Sequence, residues 1–418
     1  MNWVPLVYLL FAWWPYAQIH ACSAESPGTA TEVFRVFLKL GLTSFGGPVA
    51  HLGYFRDELV LKRRWVDESA YAQLVALSQF LPGPASSQVG FGLGLHRAGW
   101  RGAMAAFIAF TLPSAVLMAT IAYGATAFNT AVGASVITGL KIVAVAIVAQ
   151  AVMGMAKSLA PDKTRALIAV LAAGGALLLG GGLGQILAIL AGAVAGYFFC
   201  RDGAGSLRGT LVFAHKRSTG ILALALFALL LLGLPLAAAA TGAPLLGFID
   251  AFYRSGSLVF GGGHVVLPLL HSALVDPGLI GDEAFLTGYG AAQAMPGPLF
   301  TFAAYLGVFT SGGVGPVAGA VIALVAIFLP GFLLLIGVLP FYSQLGAKPK
   351  AQAMMRGVNA GVLGILTAAL YDPVFTSSIH TSLAFVLALL GFVLLTVCKL
   401  TPWLVVLISV ILAVLLGA

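Results

Sequence analysis

The chain has 418 residues, of which 60% are hydrophobic and only 8% charged, with a mean hydropathy of +1.04. A soluble surface needs about a quarter charged residues, so a soluble domain is excluded. The net charge is +8, but most Lys and Arg lie between apolar spans, as membrane topology expects, so no nucleic-acid partner is implied.

Residues 1–31 read as an N-terminal extension. Trp3 to Ile19 is apolar and aromatic with no Lys or Arg ahead of it, which makes a poor signal peptide, and it receives no functional role. Beyond it the chain is a series of apolar segments long enough to cross a bilayer as helix, and backbone in lipid must satisfy its own hydrogen bonds. Segments a to f fall at roughly 32–54, 69–95, 98–125, 131–156, 164–180 and 184–200 within a first unit, 32–217. A linker helix at 218–240 leads to a second unit, 241–418. The expected fold is an all-α polytopic membrane protein. The 52 Gly and 20 Pro suit close helix packing and interrupted helices. Cys22, Cys200 and Cys398 are far apart, and HExxH, GxSxG and GxxxxGK[ST] are all missing. Neither an enzyme, a metal site nor a cofactor is expected.

The second unit repeats the first. Leu42-Thr43-Ser44-Phe45-Gly46-Gly47-Pro48 recurs as Ser257-Leu258-Val259-Phe260-Gly261-Gly262-Gly263. Gln79-Phe80-Leu81-Pro82-Gly83-Pro84 recurs as Gln293-Ala294-Met295-Pro296-Gly297-Pro298. Thr111-Leu112-Pro113-Ser114 matches Phe328-Leu329-Pro330-Gly331, and Gly139-Leu140-Lys141 matches Gly357-Val358-Asn359. The offset stays between about 214 and 218 residues across four landmarks in order.

Loop charges give the orientation. The a–b loop carries Lys62, Arg63 and Arg64 in the first unit, but Asp276, Asp282 and Glu283 in the second. Arg97 and Arg101 follow b, whereas the matching loop is Ser311-Gly312-Gly313. After c the sign reverses, with Lys348, Lys350 and Arg356 in the second unit only. Lys157, Lys163 and Arg165 after d stand against Asp372. Every loop obeys the positive-inside rule if the two units are antiparallel, which predicts inverted-topology repeats. Both ends of b then lie on the cytoplasmic side. Segment b is therefore expected to enter and return, its tip formed by Pro82, Gly83 and Pro84, and b′ to do the same from the other face at Pro296, Gly297 and Pro298. Segment a is open to the same reading around Gly46 and Gly47. The alternative is an ordinary Pro-kinked spanning helix.

Broken helices expose unpaired N–H groups, and two opposed tips can build an anion site with few formal charges. Small donors gather there in sequence: Ser44, Gln79, Ser86, Ser87 and Gln88 in one unit, Ser257, His264, Gln293 and Thr301 in the other. Gly46, Gly47, Gly83, Gly261, Gly262 and Gly297 would supply backbone donors or hinges. Lys141 lies about 10 Å inside segment d at 1.5 Å per residue. It either balances the anion's charge from a cavity or snorkels to the interface. Lys39 and Arg254 occupy matching positions near the glycine motifs, where they would steer an anion or anchor the helix. His264 would carry a coupling proton or simply be packed.

Phe45-Gly46-Gly47-Pro48 with His51-Leu52-Gly53, Arg63-Arg64-Trp65 and Gln79 to Gln88 resembles the amino-terminal signature of the chromate ion transporter family. Phe260-Gly261-Gly262-Gly263-His264 with Met295-Pro296-Gly297-Pro298 resembles its carboxy-terminal counterpart. The resemblance covers about 32–418 and implies the long two-domain form. Its members export chromate across the bacterial inner membrane and confer chromate resistance. Sulfate or a related oxyanion, and an anion channel, remain alternative readings. The expected partners are the anion and the lipid bilayer, with a homodimer left open.

Overall fold

The computed structural model describes residues 28–45, 47–125, 131–179, 181–200, 217–260, 263–341 and 349–417. Gly46, Gly261, Gly262, Lys348 and most of the N-terminal extension lie outside them. The described residues form helices and no strand, as a chain this apolar requires in lipid.

Segment a breaks in two. Helix α1 (Ala30–Thr43) ends at Ser44, which is extended, and α2 (Gly47–Phe55) follows, continuing as a π-helical turn from Arg56 to Lys62. Segment b breaks likewise into α3 (Glu68–Phe80) and the start of α4 (Ala85–Ala125), with Leu81 extended and Gly83 at φ +120° between them. Helix α3 has 13 residues, about 20 Å of helix against a hydrocarbon core of about 30 Å, so it cannot cross alone. Its arm returns antiparallel: a Cβ on Gly92 would lie 2.9 Å from Leu74 Cδ1, so the two arms pack closely on either side of Gly83. At the open end the Arg97 guanidinium lies 5.5 Å from the Trp65 ring, and both side chains bond Glu32. Segments a and b are therefore re-entrant, with both their ends on one side. Helix α4 is itself two helices, 85–97 and 100–125, separated by Ala98 and Gly99. The second of them, containing Pro113, crosses.

Helix α5 (Ala131–Leu159), α6 (Lys163–Leu179) and α7 (Gly181–Phe199) complete the first unit, and α8 (Arg217–Thr241) is the linker. The second unit repeats the pattern. Its broken pairs are α9 (Pro244–Ser257) with α10 (Val266–Leu274), and α11 (Asp282–Ala294) with α12 (Phe302–Thr310). Then come α13 (Pro316–Val338), α14 (Pro349–Ala369), α15 (Ser382–Thr396) and α16 (Pro402–Leu416).

The two units exchange contacts reciprocally. Gly83 N–H donates to the Val259 carbonyl at 2.7 Å, and Gly297 N–H donates to the Ser44 carbonyl at 2.8 Å. Each tip thus hydrogen-bonds the break in the opposite unit's first segment. Helix α5 packs through Gly139 on Val410 and Ala413 of α16, while α14 packs through Gly357 on Gly192 and Gly196 of α7. Small residues let those backbones approach closely, as membrane helix interfaces favour. Fourth helices are therefore swapped between repeats, which binds the units into one body.

At the basic mouth, Glu58 accepts from Lys39 at 3.1 Å and Arg63 at 2.9 Å. Burial opposes its ionisation, but those two bonds prevail and hold the carboxyl below the usual range. A depressed carboxylate stabilises the fold above its unfolded pKa and loses that contribution as pH falls through the folded value. Glu58→Gln is expected to lower the melting temperature near neutral pH, with the difference from wild type closing on acidification, as read by thermal scans across pH.

Candidate functional site

A cavity of about 60 Å³ sits between the Pro296–Pro298 tip and the break at Gly47, lined by Gly47, Ile147, Gln150, His264, Ala292, Gln293, Met295, Gly297, Leu299 and Pro402. On a measure in which one water needs ~10–15 Å³, that volume holds about four to six waters, room for a small tetrahedral anion.

Five separate pieces of chain supply the lining, and each has a local reason to be there. Gly47 opens α2 at φ +79°, a conformation that favours glycine. Gly297, at φ +93°, sits in the Pro296–Pro298 tip, where flanking prolines prevent α11 from continuing. Gln293 lies in the last turn of α11 before that break. Pro402 occupies the first turn of α16, where a missing N–H costs nothing. Gln150 is carried by α5, and its amide nitrogen reaches the Leu395 carbonyl at 3.4 Å.

The electrostatics favour an anion. Helix N-termini at Gly47 and Pro402 face the space, each equivalent to about half a positive charge. Helix α16 has no side-chain cap at Thr401; Pro402 has no N–H and the Leu404 and Val405 N–H groups donate to the Thr401 carbonyl, so this end acts mainly through its dipole. The Gln293 Nε2 donor is buried and has no partner among the described residues. Among the described residues, no Asp or Glu lines the cavity. His264, in the turn ahead of α10, places Nδ1 2.8 Å from the hydroxyl of fully buried Tyr289.

Of the residues marked from sequence, Gly47, His264, Gln293 and Gly297 line this space together. Ser44 adjoins it through its carbonyl bond to Gly297, and its own hydroxyl is buried without a partner. Gly83 belongs to the opposite tip. Pro82 accepts from Gln88 at 3.0 Å, and Pro84 packs on Gly331. Ser86 is buried 3.4 Å from His51 Nδ1, and Ser87 is buried nearby in sequence with its hydroxyl unpaired. Thr301 spends its hydroxyl on the Pro298 carbonyl at 2.8 Å. Gln79, the repeat mate of Gln293, is exposed. Lys141 is half-buried on α5, about 9 Å along the helix from Ile147 and outside the lining. Lys39 and Arg254 are both paired, with Glu58 and Asp250.

Three contributors had weak sequence signals. Gln150 is a lone amide in an apolar helix, Tyr289 a phenol within one, and Thr401-Pro402 an ordinary helix start. Nothing local connects them to the tips.

The arms leading to the two tips differ in their surroundings. Residues 285–292 of α11 are all buried, whereas α3 leaves Ala72 and Gln79 exposed. In a background with the native cysteines replaced, Gln79→Cys is expected to react readily with a thiol reagent. Ala291→Cys should react at least about tenfold more slowly, as read by mass shift.

Residues 31–197 and 246–415 match the family model described as chromate transporter. A chromate transport protein of Pseudomonas aeruginosa is 29% identical over 366 residues, covering 83% of this chain and 81% of its own length. A chromate transport protein of Cupriavidus metallidurans is 28% identical over 349 residues, covering 82% of each. A probable chromate transport protein of Synechococcus elongatus is 28% identical over 354 residues, 81% of this chain and 83% of its own. No solved structure matches. With each repeat matched in turn, the chain belongs to the chromate transporter family, as a multi-pass helical membrane transporter.

Proposed function

We propose that the chain is a secondary transporter that exports chromate across the bacterial inner membrane, and so confers chromate resistance. The observation that carries this reading is the cavity between the Pro296–Pro298 tip and the break at Gly47, with two helix N-termini, the unpaired Gln293 amide donor and, among the described residues, no carboxylate in its lining. A divalent tetrahedral oxyanion needs several neutral donors around it and partial positive charge, which this lining offers.

Direction follows from charge. A dianion leaving a negative interior gains about 2.3 kcal/mol per charge per 100 mV, or about 4.6 kcal/mol in total. That sustains a gradient of over a thousandfold per 100 mV with no coupling ion. The mechanism is alternating access. In the described state residues 285–292 of α11 are buried, whereas the α3 arm leaves Ala72 and Gln79 exposed. Because the repeats are related by inversion, exchanging those two environments yields a state open to the other face.

Flux of labelled chromate in proteoliposomes, with an imposed potential and pH gradient and excess sulfate as competitor, tests this. The expected result is saturable chromate flux that rises as the potential draws anions across. Sulfate flux without chromate flux would reassign the cargo, and rates linear in concentration would indicate a channel.

A further inference from the structure

We infer that the site takes up one proton with its anion, carried on the imidazole of His264; this rests on reading the cavity as the anion site. Two helix N-termini contribute about +1 in total, which leaves about −1 of a dianion without compensation. Charge held away from water is costly unless it is paired. Among the described residues, His264 is the only titratable side chain in the lining. The Tyr289 hydroxyl lies 2.8 Å from Nδ1, and among the described residues Nε2 has no hydrogen-bond partner. With the Nδ1–H tautomer donating to the Tyr289 oxygen, Nε2 is the acceptor and takes a solvent proton, which supplies the missing charge and returns to solvent when the anion leaves.

The other charged groups on the packed elements are committed elsewhere or lie further off. On α14, Arg356 donates to the Cys200 carbonyl at 2.8 Å, and Lys350 sits 5.5 Å from the Tyr197 ring. On α11 the contact is Tyr289 itself, while Asp282, at the helix start, bonds His271. On α5 the nearest cation is Lys141, outside the lining. Helices α2 and α16 bring Gly47 and Pro402, which are uncharged.

Anion and proton then move together, so the net charge per cycle is −1 rather than −2. At equilibrium the anion gradient should change tenfold per about 59 mV, instead of per about 30 mV for the bare dianion.

The test uses the full chain in detergent and in proteoliposomes, with sulfate beside chromate as probe because sulfate does not itself titrate near neutrality. Wild type is expected to absorb about one proton per anion bound in weakly buffered solution. Its affinity should fall up to tenfold per pH unit on the alkaline side. His264→Gln should bind at least tenfold more weakly at pH 6, with no proton uptake and a flat pH profile. Tyr289→Phe should keep the uptake with a displaced midpoint, which separates protonation from general damage. Binding by wild type without proton uptake, or uptake that persists in His264→Gln, overturns the inference and leaves the anion site standing. Failure of wild type to bind either anion removes the anion site and this inference together.

Discussion

Replacing Gly297 with valine is expected to abolish transport, lowering the initial flux by at least about a hundredfold per assembled protein. Gly297 holds φ +93°, which costs a residue with a Cβ about 1–2 kcal/mol, and more when the side chain is β-branched. Space is lacking as well: a Cβ there would lie 2.9 Å from Ser114 Oγ and 3.1 Å from the Phe110 carbonyl oxygen. Relief requires the tip to move, and that movement breaks the 2.8 Å bond from Gly297 N–H to the Ser44 carbonyl. The site and the contact between repeats fail together. Gly83→Val should behave alike, since Gly83 holds φ +120° and its Cβ would meet Gly331 Cα at 2.9 Å. Gly154→Ala is the control. That glycine lies inside α5 with nothing within 4 Å of a Cβ, so flux should stay within twofold while helix stability rises slightly.

Replacing Gln293 with leucine is expected to weaken anion binding about 10- to 150-fold while leaving the empty protein at least as stable as wild type. A hydrogen bond to a charged group contributes roughly 1.5–3 kcal/mol, and each 1.4 kcal/mol is tenfold in affinity. The Gln293 amide nitrogen is buried without a partner in the empty site, so leucine removes an unsatisfied group rather than stranding one. Affinity and melting temperature should therefore move apart, which a mutation that merely damages the fold cannot do. Thr301→Val is the contrast. Its hydroxyl is spent on the Pro298 carbonyl and does not reach the cavity, so binding should change less than about threefold. Titration of chromate with intrinsic tryptophan fluorescence, paired with thermal scans of the same samples, reads both quantities.

Much of this architecture is legible in the sequence because the repeat is marked by residues with few conformational substitutes. Glycine between prolines ends a helix in any surroundings, so Pro82-Gly83-Pro84 and Pro296-Gly297-Pro298 declare two tips. The bases at Lys62–Arg64 and Arg97 state that b returns to the face it left, and the Leu74–Gly92 packing agrees. The interrupted arms and the inverted order follow from those local rules. The swapping of α5 and α14 between repeats does not. Gly139 and Gly357 advertise close packing, but a small residue carries no information about which helix fills its groove, and here it is the last helix of the other unit.

The site was half legible for the same reason. Gly47, His264, Gln293 and Gly297 lie beside the breaks, so a local pattern finds them. Gln150 and Pro402 arrive through the swap, from segments more than a hundred residues away from one of the tips they serve. Lys141 illustrates the limit of reading depth alone. Its position inside α5 signals function, yet the residues of that helix facing the cavity are Ile147 and Gln150, about 1.7 and about 2.5 turns further along. Gln79 illustrates another. It has the same motif as Gln293, but the two repeats stand in different environments, and only one tip closes on the cavity.

The measurement that bears most directly on the central claim is anomalous scattering from chromium in crystals of the protein grown with chromate. One peak is expected between Gly47, Gln293, Gly297 and Pro402, within hydrogen-bonding reach of the Gln293 amide, and displaced by excess sulfate if the two anions share the site. A peak confined to the basic mouth around Lys39 and Arg63, with the cavity empty at saturating chromate, would contradict it.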